Sequence, residues 1–162
     1  MATALISRAA SHLSDRRSSA STRRASRARP EIRKVTSRRI ALVVNDDPLL
    51  QRAMARRLKK AQFQVLTALH FNEAVDHLSA IKLDIACIDL GLPSESGYEL
   101  CEQIRNRPHL AWLPILATSE RCFPEEMAHA EEAGASAVLK KPFPMDRLVQ
   151  YVSALLDGPA RG

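Results

Sequence analysis

The chain has 162 residues, 46% hydrophobic and 26% charged, which bounds it to one globular domain and a tail. No apolar run approaches the roughly 18–20 residues that span a bilayer, so no transmembrane segment is expected. The net charge of +6 divides unevenly: residues 1–39 carry ten Arg and one Lys against Asp15 and Glu31, a net +9, and residues 40–162 carry thirteen basic and sixteen acidic residues, a net −3.

Residues 1–37 are rich in Ser, Arg and Ala, and the stretch from Asp15 to Pro30 has no large apolar residue. Such a segment cannot bury enough surface to offset its ordering entropy, so disorder is expected. Three roles remain open: a weak phosphate-contacting arm for nucleic acid or an anionic membrane surface, an Arg/Ser-rich transit peptide, or a solvated extension.

From Arg38 the pattern becomes regular. Ile40-Ala41-Leu42-Val43-Val44 reads as a strand buried on both faces, ending at the polar corner Asn45-Asp46-Asp47, with Pro48 opening a helix. Leu50, Met54, Leu58 and Ala61 mark that helix's apolar face. Gln64–Ala68 reads as the second strand and Asn72–Ile81 as the second helix, striped by Ala74, Val75, Leu78 and Ile81.

The third strand, Ile85 to Ile88, ends on Asp89 and breaks at Gly91, Pro93 and Gly97. A helix follows over Gly97–Arg105, then a strand over Pro114–Thr118 stopping at Ser119-Glu120. Pro124–Ala133 reads as the fourth helix, capped by Gly134, and Ser136–Leu139 as the fifth strand, ending at Lys140-Lys141-Pro142. Leu148, Val149, Val152, Leu155 and Leu156 stripe a fifth helix, expected to pack on the sheet rather than to form a dimer. Five strands alternating with five helices predict an α/β fold with a parallel sheet covered on both faces.

Parallel strands bring Asn45-Asp46-Asp47, Asp89, Ser119 and Lys141 to one edge. Carboxylates there suit a hard divalent cation such as Mg²⁺, and a carboxylate can act as a nucleophile toward phosphorus. The metal and an ammonium would neutralise charge on the transferring group. No Ser/His/Asp or Cys/His arrangement competes: His12, His70, His77, His109 and His129 are expected at the surface. Cys87, Cys101 and Cys122 lack metal-site spacing and are expected as free thiols in a reducing cytoplasm.

Four pieces in the same order and spacing carry a family resemblance: Leu42-Val43-Val44-Asn45-Asp46-Asp47-Pro48, Ile88-Asp89-Leu90-Gly91-Leu92-Pro93 through Gly97, Pro114 to Ser119, and Gly134-Ala135-Ser136 through Lys141-Pro142-Phe143. Over residues 38–157 the chain resembles the receiver domain of two-component response regulators. That implies a flavodoxin-like (βα)5 fold with a doubly wound parallel five-stranded sheet, preceded by the extension 1–37 and followed by the short tail 158–162. It further implies that Asp89 accepts the phosphoryl group and that Mg²⁺ is held by Asp46, Asp89, the Gly91 backbone carbonyl and, through a water, Asn45. Ser119 would be the switch hydroxyl, Lys141 the family's lysine, and Lys141–Pro142 a cis peptide.

The implied partners are a histidine kinase or phosphotransfer protein and a downstream protein target. The implied activity is signalling, at most self-catalysed phosphotransfer and dephosphorylation, in the cytoplasm. Residues 158–162 are too short for a DNA-binding module, so a single-domain regulator acting by protein contact is expected.

Three positions depart from the family pattern. Asn45 replaces the first acid of an acidic pair, Glu120 follows the switch residue where a small residue is usual, and Val138 stands where an aromatic switch residue is frequent. Asp47 is a candidate substitute for the missing acid. The departures sustain an alternative, a phosphorylation-independent pseudo-receiver acting as a protein-binding module. An aspartate-nucleophile phosphatase is disfavoured because Gly91 stands where its second aspartate belongs.

Overall fold

Every residue of Ile40–Val44 is apolar because helices cover both faces of the strand that it forms. The computed structural model describes residues 37–93 and 96–158. The disorder and the arm contacts expected of residues 1–37 fall, apart from Ser37, outside the described residues. The elements run β1 (Ile40–Val44), α1 (Pro48–Lys60), β2 (Gln64–Ala68), α2 (Phe71–Ala80), β3 (Ile85–Asp89), α3 (Gly97–Arg105), β4 (Ile115–Ser119), α4 (Pro124–Glu132), β5 (Ala137–Lys140) and α5 (Met145–Asp157). All strand pairs are parallel, in the order β2-β1-β3-β4-β5.

The period-2 alternation of a strand sends its side chains to two separate cores. Leu42, Val44, Ala86, Ile88, Ile115 and Ala117 pack with residues of α2, α3 and α4, such as Leu78, Leu100 and Ile104. Ala41, Val43, Ile85, Cys87, Leu116 and Leu139 pack with Met54 and Leu58 of α1 and Leu148 and Val152 of α5. Each fully buried Leu, Ile or Val contributes about 1.5–3 kcal/mol by leaving water. The stripe of α5 does face the sheet.

Element ends shift by one residue from the pattern-based reading. Helix α2 begins at the buried Phe71 and stops before Ile81, whose backbone is extended. Strand β4 starts after Pro114, which has no N–H for the ladder but accepts from Ala86 N–H through its carbonyl. Strand β5 starts at Ala137, and the hydroxyl of Ser136 accepts from Ile115 N–H. Ala61 and Ala133 are C-caps rather than helix residues. Gly134 lies just beyond, at φ +105°, a conformation that suits glycine.

Arg105 at the end of α3 fastens this edge. Its guanidinium donates to the carbonyls of Gly134, Ala111 and Leu113, the shortest at 2.6 and 2.7 Å. A planar fork with five N–H donors suits this task, and an ammonium cannot span it. Arg105→Ala is expected to cost at least ~2 kcal/mol, since hydrogen bonds to charged groups contribute about 1.5–3 each. Arg105→Lys should recover little of that, as read by urea unfolding.

Burial deprives the thiolates of Cys87 and Cys101 of hydration and pushes both thiols from 9.0 up to about 12. The folded chain then retains protons that the unfolded chain releases. The resulting stabilisation is fully present below about pH 9 and is lost as the pH rises toward 12. Thermal melting across that window should show a falling Tm, and a level Tm would contradict the assignment.

Candidate functional site

Strand order reverses at β1: β2 lies on one side, and β3, β4 and β5 continue on the other. The crevice beyond the carboxyl ends of β1 and β3 is therefore the topological switch point, where open α/β sheets hold ligands. Asp89, the last residue of β3, lies at that point and is only 3% exposed. It pairs with Thr118 of β4, and because Val44 pairs with Ile88, Asn45 occupies the next position beside Asp89. Val43, Cys87 and Leu116 face the α1/α5 core. Two residues later, Asn45, Asp89 and Thr118 leave the sheet on that same side.

A carboxylate so buried must be paired or hydrogen-bonded. Asp89 Oδ2 accepts from Lys141 Nζ at 2.6 Å, and its Oδ1 accepts from Gly91 N–H at 3.0 Å. The ion pair is itself enclosed, with the Lys141 side chain 16% exposed. Lys141 follows β5 directly, its N–H donates to the Ser119 carbonyl at 2.8 Å, and the Lys141–Pro142 peptide is cis.

Glycine allows the loop after β3 to turn back so closely. A Cβ on Gly97 would collide with the Asp89 carbonyl oxygen and come within 2.7 Å of Leu90 Cα. Helix α3 therefore starts directly against the end of the Asp89 strand, with Ser96 Oγ accepting from Glu99 N–H as its cap.

The corner after β1 departs from one expectation. Asp47 does not stand in for the missing acid, because its Oδ1 accepts from Leu49 and Leu50 N–H and so caps α1. Asn45 is fully buried, and its Oδ1 accepts from Asp47 N–H at 2.9 Å. Asp46 is exposed to solvent. Ser119 is half-buried and follows the opposite parity, with Ile115 and Ala117. Its Oγ accepts from Arg121 N–H at 3.1 Å.

Two polar residues of this region are not singled out by the pattern-based reading. Gln51 interrupts the apolar face of α1 and donates from Nε2 to the Ala68 carbonyl at 2.8 Å and to that of Asn45 at 3.4 Å, fixing the ends of β2 and β1. Thr118 lies inside the apolar run of β4, 1% exposed. A hydroxyl in an otherwise apolar buried run was the available signal.

The donors expected from the sequence, Asp46, Asp89 and the Gly91 carbonyl, are all oxygen, a set whose chemistry suits a hard cation that keeps several waters. Among the described residues, no group of three or more His, Cys, Asp and Glu is arranged to hold a metal. Glu120 is exposed and, with Leu50, Lys141, Pro142 and Phe143, lines a cavity of about 430 Å³ beside the site. Val138 is half-buried against the α2/α3/α4 core. Three histidines (His70, His109 and His129) are exposed, and the half-buried His77 ring lies 3.2 Å from the Thr67 carbonyl. His12 lies outside the described residues.

Comparison with known proteins accords with this geometry. The chain is 33% identical over 114 residues to the phosphate regulon transcriptional regulatory protein PhoB of Rhizobium meliloti, covering 70% of this chain and 50% of that one. It is 29% identical over 115 residues to the sensory transduction protein BceR of Halalkalibacterium halodurans, covering 71% and 48%. The chain thus spans about half the length of these curated relatives. A putative response regulator of Chloroflexus aurantiacus superposes with a TM-score of 0.70 at 30% identity, over 74% of this chain and 98% of that structure. Residues 41–153 match the response regulator receiver domain, and the chain belongs to that family.

Proposed function

We propose that Asp89 accepts a phosphoryl group from a phosphohistidine of a histidine kinase or phosphotransfer protein. We propose further that residues 38–157 form the receiver that passes this event to a downstream protein. One observation carries the reading: Asp89 is buried at the switch point and bonded to Lys141 Nζ at 2.6 Å.

An Asp89 carboxylate oxygen attacks phosphorus, the bond from phosphorus to the donor's nitrogen breaks, and the donor imidazole leaves with that electron pair. In exchange for Asp89 Oδ2, Lys141 takes a phosphoryl oxygen and offsets the charge that accumulates there. Gly91 N–H continues to hold the second carboxylate oxygen. Ser119 gives up Arg121 N–H and donates its hydroxyl to the phosphoryl group, drawing the start of the β4–α4 loop toward the site. Mg²⁺, when held by Asp46, Asp89 and the Gly91 carbonyl, would neutralise phosphoryl charge. Asn45 Oδ1 has a second lone pair for a metal-bound water, but an amide lacks the acid's charge, so cation affinity is lowered.

The second reading, a phosphorylation-independent binding module, draws on Asn45 in place of an acid and on Glu120 beside the entrance. The two readings separate on intact mass after incubation with acetyl phosphate and Mg²⁺. Wild type is expected to gain one phosphoryl group and Asp89→Asn none. A partner that binds wild type and Asp89→Asn equally, with no gain of mass in wild type, would favour the binding module.

Lys141→Ala is expected to slow labelling by at least tenfold, set against the ~10²–10³ that one oxyanion donor supplies. It should also lower stability, because it leaves a buried carboxylate without its cation, a loss of about 3–5 kcal/mol in comparable pairs. Labelling at the wild-type rate would remove Lys141 from the mechanism.

A further inference from the structure

Among the described residues, two buried side-chain polar atoms have no hydrogen-bond partner, Asn45 Nδ2 and Thr118 Oγ1. They belong to residues 0% and 1% exposed, so solvent does not satisfy them in passing. Both flank Asp89, Asn45 directly after β1 and Thr118 on β4, and leave the sheet on the side that Asp89 does. The orientation of Asn45 is fixed: Oδ1 accepts from Asp47 N–H, and a flip would set two donors against each other. Its orphan atom is therefore an N–H₂ donor, and the orphan on Thr118 is a hydroxyl that can donate. Leaving a buried donor unmet is costly, and such a pair beside one carboxylate calls for an explanation.

The unmet groups match what an acyl phosphate would bring. Once Asp89 is phosphorylated, the site must hold three non-bridging oxygens and one acyl oxygen, and each accepts hydrogen bonds. Resting on the phosphoacceptor reading, we propose that Asn45 Nδ2–H and Thr118 Oγ1–H are held in reserve for these oxygens. Together with Lys141 they would make phosphorylation of Asp89 less dependent on a divalent cation than an acid at position 45 would allow. Asn45 donates to a phosphoryl oxygen, a position where an acid would repel it and require a metal between them. Thr118 donates to the acyl oxygen. The phosphoryl step is unchanged: the bond from an Asp89 oxygen to phosphorus forms, and the bond from phosphorus to the oxygen of acetyl phosphate breaks, releasing acetate with the electron pair.

The test compares wild type, Asn45→Asp, Thr118→Val and Asp89→Asn by intact mass with acetyl phosphate, in chelator and in saturating Mg²⁺, together with thermal melting. Wild type should label in chelator at a rate within about tenfold of that in Mg²⁺, the span that one hydrogen bond to a charged group covers. Asn45→Asp should label only with Mg²⁺ and show the larger rise of Tm on adding Mg²⁺ alone. Thr118→Val removes the orphan with nearly the same shape. Its unphosphorylated form should melt higher by roughly 2–4 °C, while it labels about tenfold more slowly than wild type in chelator.

If wild type and Asn45→Asp share one Mg²⁺ dependence, or if Thr118→Val labels like wild type, the proposal is overturned and the phosphoacceptor reading stands. Failure of wild type to label in saturating Mg²⁺ would instead remove that reading, and the proposal with it.

Discussion

The ion pair between Asp89 and Lys141 is the constraint on which the carboxyl edge of this domain depends. Both partners are largely enclosed, and 52 residues separate them along the chain. A carboxylate without a partner at 3% exposure would carry the full cost of a buried, uncompensated charge. To supply the partner, β5 must run beside β4 and deliver Lys141 beyond its end, and the Lys141 N–H to the Ser119 carbonyl ties these two ends together. The sheet order, the buried acid and the cation are thus one arrangement. Truncating the pair from either side leaves a buried charge, whereas the intact pair is close to balanced.

What can respond to a change at that pair is set by how firmly each helix is packed. Helices α1 and α5 hold the opposite core through Met54, Leu58, Leu148 and Val152. Helix α4 buries only Ala130 among its residues and has the least apolar anchoring of the five. Its further tie is a ring stack, His129 on Tyr98 of α3, with centroids 4.2 Å apart and planes at 11°. Tyr98 follows Gly97, the residue pressed against the Asp89 carbonyl. Two contiguous routes therefore join Asp89 to the loosely held helix, one through Ser119 and the β4–α4 loop, the other through Gly97, Tyr98 and His129. The second does not need an aromatic ring at position 138, where this chain has Val. Contiguity makes these physical candidates for coupling, and coupling itself is a free energy between states.

Much of this architecture was legible in the residues, for identifiable reasons. Strands buried on both faces are continuous apolar runs, and β1, β3 and β4 each give way to a polar residue at the carboxyl end, as β5 does at Lys140-Lys141, so Asn45, Asp89, Ser119 and Lys141 announce the edge on which they stand. The one-residue shifts at α2, β4 and β5 arise where chemistry overrides pattern: Phe71 is apolar enough to join the core, Pro114 lacks a ladder N–H, and Ser136 donates its N–H to the Ile115 carbonyl but accepts from Ile115 N–H through its side chain. Less legible was the division of labour at the first corner. Asn45, Asp46 and Asp47 are adjacent and alike, yet one is buried, one solvated and one spent on capping α1. Composition cannot separate those fates, because they follow from where β1 ends relative to the first turn of α1. Thr118 was hidden for the opposite reason. Its β-branched shape fits a strand run, and only the strand register and the two-core packing place it beside Asp89 on the same side of the sheet.

The amide at position 45 sets the electrostatics of the resting site. With an acid there, two enclosed carboxylates would share one ammonium, and the surplus negative charge would draw in a cation. With Asn45, the enclosed groups are one carboxylate and one ammonium, bonded at 2.6 Å, while the negative charge of Asp46 lies in solvent. The resting state is then satisfied in charge but not in hydrogen bonding, since two donors remain unmet. On the proposed phosphoacceptor reading, an incoming phosphoryl group would have to detach Lys141 from Asp89, which opposes the reaction, and would offer acceptors to those donors, which favours it. On that reading the balance of the site would rest on exchanging one strong ion pair for several donors around a larger anion. That exchange would be local, because Asn45, Asp89, Thr118 and Lys141 all lie at one edge of the sheet.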